Sequence, residues 1–248
     1  MREMTSAVSA CPDCGDTGWI VASAEGRKSA RPCVCRAAAI RRKKLEAAGI
    51  PERYRNDTID NFNDLGKPAL VRANQAAQEF ADLYPLVEHG LLFVGPSGRG
   101  KTHLACALLA ELIVRKGVSG LYADFSDLLL KIQTTFRPDA DFSKESLLTP
   151  YAETELLVLD ELGASKPHPW VLDALYNLLN TRYNRKRITI ATSNYEDEPD
   201  VASGERERLE DRLNYRLRSR LYEMCQMVPL RGEDYRKQIL GAQTRSPF

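Results

Sequence analysis

The sequence predicts an α/β protein built around a five-stranded parallel β-sheet, and two observations support that fold. Five short apolar runs are separated by segments with helical periodicity, an alternation typical of parallel sheets covered by helices. The runs are nearly continuous, as in strands that are buried on both faces. We place these strands at LLFVG (91–95), GLYADF (120–125), ELLVLDE (155–161), ITIATSN (188–194) and CQMVPL (225–230).

Helices should occupy residues 67–87 and the segments that begin near Lys101, Ser126, Pro169 and Gly204. With 248 residues, 43% apolar composition and a net charge of +1, the chain can bury a full core and is not a general polyanion binder. It has neither a signal-like N-terminus nor an apolar run long enough to span a bilayer. We therefore expect a cytoplasmic protein with no membrane partner.

Four of the six cysteines cluster near the N-terminus. A Cys-x-x-Cys pair and a Cys-x-Cys pair flank a segment rich in Gly and polar residues, which suits a small hairpin. Two such pairs can close a tetrahedral Zn²⁺ site, and a redox dithiol is the alternative. The predicted zinc ligands are Cys11, Cys14, Cys33 and Cys35. Cys106 and Cys225 lie in apolar stretches and should be core residues.

The segment GPSGRGKT follows the first predicted sheet strand and matches Gly-x-x-x-x-Gly-Lys-Thr. In this motif backbone N–H groups wrap phosphates, Lys101 reaches the β- and γ-phosphates, and Thr102 ligates Mg²⁺. The motif predicts an ATP or ADP site. Its expected residues are Gly95, Pro96, Ser97, Gly98, Arg99, Gly100, Lys101, Thr102 and His103.

Acidic side chains follow the apolar run LLVL, at the edge of the sheet where the phosphate loop should lie. We expect Asp160 to hold Mg²⁺ through water and Glu161 to polarise the attacking water, which favours hydrolysis over binding alone. Asn194 ends the next strand, where its amide could position that water or contact the γ-phosphate. A simple turn that ends the strand is the alternative for Asn194.

The dipeptide Arg-Leu occurs four times between residues 208 and 221, at a spacing of four residues. On a helix this spacing makes an apolar stripe, composed of Leu209, Leu213, Leu217 and Leu221, beside a row of cations, composed of Arg208, Arg212, Arg216 and Arg220. Arg208 and Arg220 have acidic residues three positions away, whereas Arg212 and Arg216 need partners from elsewhere. A solvated basic face is the alternative interpretation.

These elements resemble the AAA+ ATPases, and more narrowly the bacterial replicative helicase loaders of the DnaC and DnaI type, with the IstB-like transposition ATPases related to them. The resemblance covers nearly the whole chain and rests on CPDCGDTGWI…RPCVC, GIPERY, LLFVGPSGRGKTHLA, LLVLDELGASKPHPWVLDALYNLLNTRY, TIATSN and RLRSRLYEMC. It implies a P-loop AAA+ three-layer sandwich, and few residues follow the last strand, so the helical lid should be reduced or absent. The implied division is a zinc-binding, helicase-interacting module at 1–48, a linker at 49–66 and the ATPase domain at 67–248.

The resemblance also implies roles for residues. In this family the ATP lies between subunits of a self-oligomer, and an arginine of one subunit reaches the γ-phosphate held by its neighbour. By motif position Arg220 is the better match and Arg216 the second. An insertion of the loaders and related initiators lines a single-stranded DNA channel, which makes Lys131, Phe136 and Arg137 candidate DNA contacts, although a packed helix with a loop is the alternative.

The resemblance therefore favours an ATPase that loads a hexameric replicative helicase onto single-stranded DNA. The expected catalytic residues are Lys101, Asp160, Glu161, Asn194, Arg220 and Arg216. Two other functions stay open, namely an IstB-like ATPase that delivers target DNA to a transposase and a nucleotide-switched adaptor with little turnover.

Overall fold

A computed structural model of the chain describes residues 11–24, 27–135, 144–197, 207–232 and 234–235. The N-terminal part is an antiparallel hairpin, β1 (Trp19–Ala24) and β2 (Arg27–Pro32), followed by helix α1 (Val34–Ala47). A 3₁₀ turn (Glu52–Tyr54) and helix α2 (Pro68–Leu83) lead to the main sheet. No helix among these residues is long and apolar enough to cross a membrane.

The main part of the chain alternates strands and helices, as the sequence predicts. Its strands are β3 (Gly90–Val94), β4 (Gly120–Asp124), β5 (Leu156–Leu162), β6 (Ile188–Ser193) and β7 (Cys225–Pro229). Its helices are α3 (Lys101–Glu111), α4 (Phe125–Thr134), α5 (Lys144–Glu153), α6 (Pro169–Asn184), α7 (Leu209–Leu213) and α8 (Tyr215–Met224), and a π-helical turn (Leu112–Lys116) extends α3.

The five strands form one parallel sheet in the order β4-β5-β6-β3-β7. Side chains of a strand point alternately to the two faces of the sheet, so each strand contributes to two cores. Leu91 and Phe93 of β3 pack with α2 and α3, whereas Leu92 and Val94 pack with α4, α6 and α8. The predicted three-layer α/β fold is confirmed.

Residues 49–66 are predicted to be a linker, and three apolar residues of this segment are buried in the core. Ile50, Ile59 and Phe62 are buried in the same apolar cluster as α2 and α3. The apolar residues of this segment are widely spaced, so they show no helical or strand period that would predict burial from sequence. Their burial places the segment against the phosphate loop.

The Arg-Leu segment forms two helices and not the single helix that its spacing predicts. Asn214 separates α7 from α8 with a left-handed φ of 70°, and its side-chain oxygen accepts a hydrogen bond from the Leu217 N–H at 3.0 Å. With ψ at 161°, this backbone conformation is costly for a residue other than glycine, and the side-chain hydrogen bond caps the second helix. Arg208 is extended, so α7 begins at Leu209, and the predicted start near Gly204 lies outside the described residues. All four leucines are nevertheless buried, which confirms the predicted apolar stripe.

Candidate functional site

The phosphate loop follows β3 and ends where α3 begins, so its position is set by the central part of the sheet. Two of its glycines are required by space as well as by backbone angle. A Cβ atom on Gly95 would lie 2.3 Å from the carbonyl oxygen of Leu230, and one on Gly100, whose φ is 83°, would lie 2.5 Å from the ring of Phe62. The loop therefore packs too closely on its surroundings for side chains at these positions.

The ammonium group of Lys101 lies inside the loop. The residue is 7% exposed, and its Nζ donates to the carbonyl oxygens of Gly95 at 2.6 Å and Pro96 at 2.9 Å. Lys101 is also the first residue of α3, whose N-terminal N–H groups add a positive field at the same place. A buried cation beside a helix N-terminus makes this loop a binding site for an anion such as phosphate.

Asp160 is the centre of a buried hydroxyl network. Its carboxylate is 3% exposed and accepts hydrogen bonds from Thr192 at 2.6 Å, Tyr122 at 2.8 Å and Thr102 at 3.0 Å. These hydroxyls come from β6, β4 and α3, so three elements fix one side chain. Burial and the charge of Asp160 raise the pKa of Tyr122, which keeps the phenol protonated as a donor.

The network fits a magnesium ion. The hydroxyl of Thr102 and the carboxylate of Asp160 are hard oxygen ligands held within hydrogen-bond distance of each other, at the start of α3 beside Lys101. Thr102 would bind the ion directly and Asp160 would bind it through water. Sequence reasoning found these two residues but missed Tyr122 and the hydroxyl of Thr192, because hydroxyl side chains inside strands carry no motif.

Glu161 follows Asp160 but points in a different direction because the strand bulges there. Its φ is 58°, and the pairing of β5 with β6 shifts register between Leu159 and Leu162. The Glu161 N–H donates to the Thr192 hydroxyl at 2.9 Å, and its side chain is exposed and lines a cavity beside the phosphate loop. Bulges redirect side chains at functional sites, and a left-handed φ on a residue other than glycine is a costly conformation that supports such a role.

That cavity is large enough for a nucleotide. It encloses about 400 Å³ and is lined by Ser97 to His103, by Glu161, Thr192 and Asn194, and by residues outside the predicted site. Gly95 and Pro96 lie at the base of the loop, where their carbonyls bind Lys101. The missed lining residues are Arg53, Tyr54, Asp57, Asn61, Phe62, Asn63, Leu70 and Tyr235. For most of these residues, the sequence signal was the run of polar and aromatic side chains in and after GIPERY. That signal was missed because residues 49–66 were predicted to be a linker.

His103 joins this missed segment to the phosphate loop. One ring nitrogen lies 3.0 Å from a carboxylate oxygen of Asp57, and the other lies 2.9 Å from the carbonyl oxygen of Thr58. The ring also meets Phe62 edge-on, with 5.4 Å between ring centroids. Residues 57–62 are therefore fastened to the first turn of α3.

The C-terminal segment also contacts the phosphate loop. The Tyr235 N–H donates to the carbonyl oxygen of Gly98 at 3.0 Å, and Nε of Arg99 donates to that of Gly232, also at 3.0 Å. The Leu230 N–H donates to Val94 at 2.8 Å. Residues from both ends of the ATPase part thus enclose the phosphate loop.

Neither candidate arginine finger lines the cavity of its own chain. Arg216 is exposed and stacks on Tyr176 of α6 at 4.3 Å, and Arg220 stacks on Tyr183 of α6 at 4.1 Å. Arg220 also pairs with Glu223 at 2.6 Å, as its spacing predicts, and its side chain is 17% exposed. Both arginines are thus held against tyrosine rings of α6.

The partner that Arg212 required comes from the loop after β5. Its guanidinium donates to the carbonyl oxygens of Gly163 at 2.7 Å and Ala164 at 2.9 Å, and pairs with Glu207 at 2.8 Å. Arg212 therefore has a structural role in its own chain.

The candidate DNA contacts lie apart from the nucleotide cavity or outside the described residues. Lys131 is exposed on α4 and borders a second cavity beside the outer edge of β4. Phe136 and Arg137 lie outside the described part of the chain.

The structure brings the four N-terminal cysteines together. Their Sγ atoms all lie within 4.8 Å of one another, with 3.8 Å between Cys11 and Cys33 and 3.3 Å between Cys14 and Cys35. With Zn–S bonds of about 2.3 Å, the sulfurs of a tetrahedral site lie about 3.8 Å apart, so this group fits zinc. The Gly18 N–H points at the Cys14 sulfur at 3.3 Å, as is typical of a positioned metal ligand.

The clustered cysteines do not share one direction of pKa shift, because their thiols interact: hydrogen bonds with Cys14 and then Cys33 raise the pKa of Cys35. Burial opposes ionisation of Cys14, but hydrogen bonds from Cys35 and the Gly18 N–H outweigh it and lower the pKa to about 7. Burial raises the pKa of Cys106 and raises that of Cys225 to about 12. Cys106 and Cys225 are buried residues of the core, as predicted.

Comparison with known proteins identifies the family. A family profile described as IstB-like ATP binding protein matches residues 41–241. The chain belongs to this family. The profile excludes all four clustered cysteines, which precede residue 41.

Relatives and solved structures agree with this family. The replicative helicase loader DnaC of Buchnera aphidicola is 28% identical over 221 residues, which cover 88% of this chain and 85% of that protein. The phage-like element PBSX protein XkdC of Bacillus subtilis is 25% identical over 237 residues, covering 91% of this chain and 84% of that protein. A crystal structure of the DnaC helicase loader aligns with a TM-score of 0.62 at 28% identity, over 73% of this chain and all of that one. The chain is thus a P-loop ATP-binding protein with the AAA+ fold, and this homology supports a role in the initiation of replication.

Proposed function

We propose that this chain is an ATP-dependent loader that places a hexameric replicative DNA helicase on single-stranded DNA. The proposal rests on one observation. The same chain contains an ATP site, with Glu161 lining the nucleotide cavity, and a separate four-cysteine module. The relatives named as DnaC loaders supply the reaction class. The module at residues 1–48 is the proposed contact for the helicase, and residues 49–66 act as part of the ATPase domain and not as a free linker.

The residues of the cavity have different proposed roles in ATP hydrolysis. The N–H groups of the loop and Lys101 would bind the β- and γ-phosphates, and Thr102 and Asp160 would hold Mg²⁺. When bound, the ion neutralises charge on the phosphates. Glu161 polarises the attacking water, and Asn194, which is half-buried and lines the same cavity, orients that water or binds the γ-phosphate.

A second subunit would complete the site. Because neither Arg216 nor Arg220 lines the cavity of its own chain, we assign either of them to ATP held by a neighbouring subunit. ATP would then lie between the subunits of an oligomer, and its hydrolysis would weaken the assembly and release the loader. Contacts with single-stranded DNA are assigned to Lys131, Phe136 and Arg137.

The test is size-exclusion chromatography of the full chain with hexameric helicase, in the presence and absence of ATP, followed by a helicase-loading assay on single-stranded DNA. We expect a complex with the wild-type chain and loss of ATP binding and loading in Lys101→Ala. The Lys116→Ala variant, which removes an exposed lysine of the ATPase part outside the cavity, is the matched control. Loading by Lys101→Ala at the wild-type rate would refute the proposal.

A transposition ATPase is the second candidate, and the family description favours it. Parallel pull-downs with a transposase and with a helicase separate the two candidates. Because the four cysteines lie outside the family profile, we expect helicase capture to need residues 1–48, whereas transposase capture would not. An adaptor with little turnover is disfavoured by the exposed Glu161 beside the phosphate loop, and phosphate release measured with and without single-stranded DNA decides that alternative.

A further inference from the structure

Tyr122 connects two parts of the molecule that the proposed function treats separately. Its hydroxyl donates to Oδ2 of Asp160 at 2.8 Å, and its main-chain N–H donates to the carbonyl oxygen of Ala48 at 2.7 Å. Ala48 is the residue that ends α1, the helix that begins next to Cys33. One residue therefore touches both the metal-binding carboxylate and the end of the cysteine module.

The place of β4 in the sheet explains this double contact. It is an edge strand that pairs only with β5, so alternate N–H groups face away from the sheet. The Tyr122 N–H is one of these, and the Ala48 carbonyl satisfies it. The ring of Tyr122 packs on the apolar cluster of α2 and α3, which aims its hydroxyl at β5.

The end of α1 is held closely against this strand. Ala48 is completely buried, and a Cβ atom on Gly49 would lie 3.5 Å from the carbonyl oxygen of Tyr122. Lys44 donates to the carbonyl oxygen of Gly117 at 2.5 Å, just before β4. By contrast, the body of α1 has no buried residue. A force on the module would therefore reach the ATPase part through the end of α1, which contacts both the π-helical turn after α3 and β4.

We infer that Tyr122 is a positioning residue that couples the end of α1, and with it the cysteine module, to the orientation of the magnesium-binding carboxylate. A shift of Ala48 moves the main chain of Tyr122, and the rigid ring transmits that movement to Asp160. Binding of a partner to the module and binding of Mg²⁺ with nucleotide would then influence each other through the same contact. This inference rests on the proposed role of Asp160 and not on the identity of the partner.

The first experiment measures magnesium dependence without turnover. Binding of a fluorescent ATP analogue to the full chain is titrated with Mg²⁺ in the wild type and in Tyr122→Phe, which keeps the ring and removes the hydroxyl. We expect half-maximal binding at about fivefold higher Mg²⁺ in the variant, and an affinity in EDTA within about twofold of the wild type, because one hydrogen bond to the metal carboxylate is lost.

Tyr84→Phe is the matched control, since Tyr84 lies in the same apolar cluster and is not among the described residues whose hydroxyls donate to Asp160. It should leave the magnesium midpoint unchanged. Equal midpoints for Tyr122→Phe and the wild type, with both proteins folded by thermal melting, overturn the positioning role.

The second experiment measures the coupling by hydrogen exchange of zinc-loaded chains. On addition of magnesium and a non-hydrolysable ATP analogue, exchange should slow at 95–102 and also at 44–49 in the wild type. In Tyr122→Phe, at saturating Mg²⁺, slowing should persist at 95–102 and be lost at 44–49. Slowing at 95–102 alone in the wild type contradicts the coupling while sparing the nucleotide site. No slowing at either segment contradicts both.

Discussion

The nucleotide site and the cysteine cluster hold their chemical groups by different means. Asp160 is buried between two apolar clusters. Its carboxylate accepts hydrogen bonds from hydroxyl groups on three elements of the ATPase fold. The cysteine module has a short hairpin and a helix with no buried residue, and only Cys33 of its four cysteines is buried. The first site is preformed by packing, whereas the second gathers its ligands in a segment too small to supply a core.

This difference predicts which perturbations stay local. Changes at the nucleotide site should alter chemistry and leave the fold in place, because the surrounding core is large. Loss of metal should unfold the module and leave the ATPase part intact. Four changes test these expectations, from the largest effect to the smallest.

The largest effect is expected for the arginine that a neighbouring subunit would supply to the site. Arg220→Ala should lower ATP hydrolysis by about 10³-fold or more while sparing nucleotide binding, because an arginine from the neighbour stabilises charge on the transferred phosphate. Mixing Arg220→Ala with Lys101→Ala chains should restore part of the activity, as measured by phosphate release.

Two control variants on α8 make this result specific. Arg218→Ala removes a cation that pairs with Asp197 and should hydrolyse ATP normally. If Arg216→Ala causes the loss instead, Arg216 is the finger. Normal hydrolysis by both Arg216→Ala and Arg220→Ala would show that neither arginine has this role and that the row is structural.

Glu161→Gln tests whether the bulge in β5 serves chemistry. We expect hydrolysis to fall by about 10²-fold or more because the attacking water loses its base, with ATP affinity within about twofold of the wild type. Glu155→Gln, which changes a carboxylate just before the other end of β5, is the control. A normal single-turnover rate in Glu161→Gln would assign the water to another group.

Cys33→Ser tests the metal dependence of the module. Purified wild-type chain should contain about one zinc per molecule by elemental analysis, and the variant should lose it together with helicase binding. The melting temperature of the ATPase part should change little, since the two apolar clusters remain.

Cys106→Ser, which alters a buried cysteine of the ATPase core, should keep the zinc and lower that melting temperature. A metal-free variant with full helicase binding would contradict a structural zinc site.

The smallest effect is expected for a single hydroxyl in the network. Thr192 is completely buried and bridges the Asp160 carboxylate and the Glu161 N–H. Thr192→Val should lower the free energy of unfolding by about 1–2 kcal/mol, because both groups lose a partner in a buried site. Thr192→Ser keeps the hydroxyl and should recover most of this loss in urea unfolding. Equal stability of the wild type and Thr192→Val would mean that the network contributes little.

Much of the site could be predicted from local patterns. A glycine-rich loop between an apolar strand and a helix specifies a phosphate site, and the run LLVLDE places a carboxylate at the same edge of a parallel sheet. Tyr122 could not be found this way. Its role depends on the edge position of β4 and on contact with Ala48, both of which arise from residues distant in sequence. Residues 49–66 were missed because their burial follows no regular period.

The sequence by itself determined the parallel α/β fold, the phosphate loop, the acidic pair and the cysteine cluster. Short-range spacing sets each of these through backbone geometry and the periods of helices and strands. Only the tertiary structure decided that residues between 53 and 63 line the nucleotide cavity and that Tyr122 joins the end of α1 to Asp160. Those features depend on which distant segments pack together, and packing is a property of the whole core.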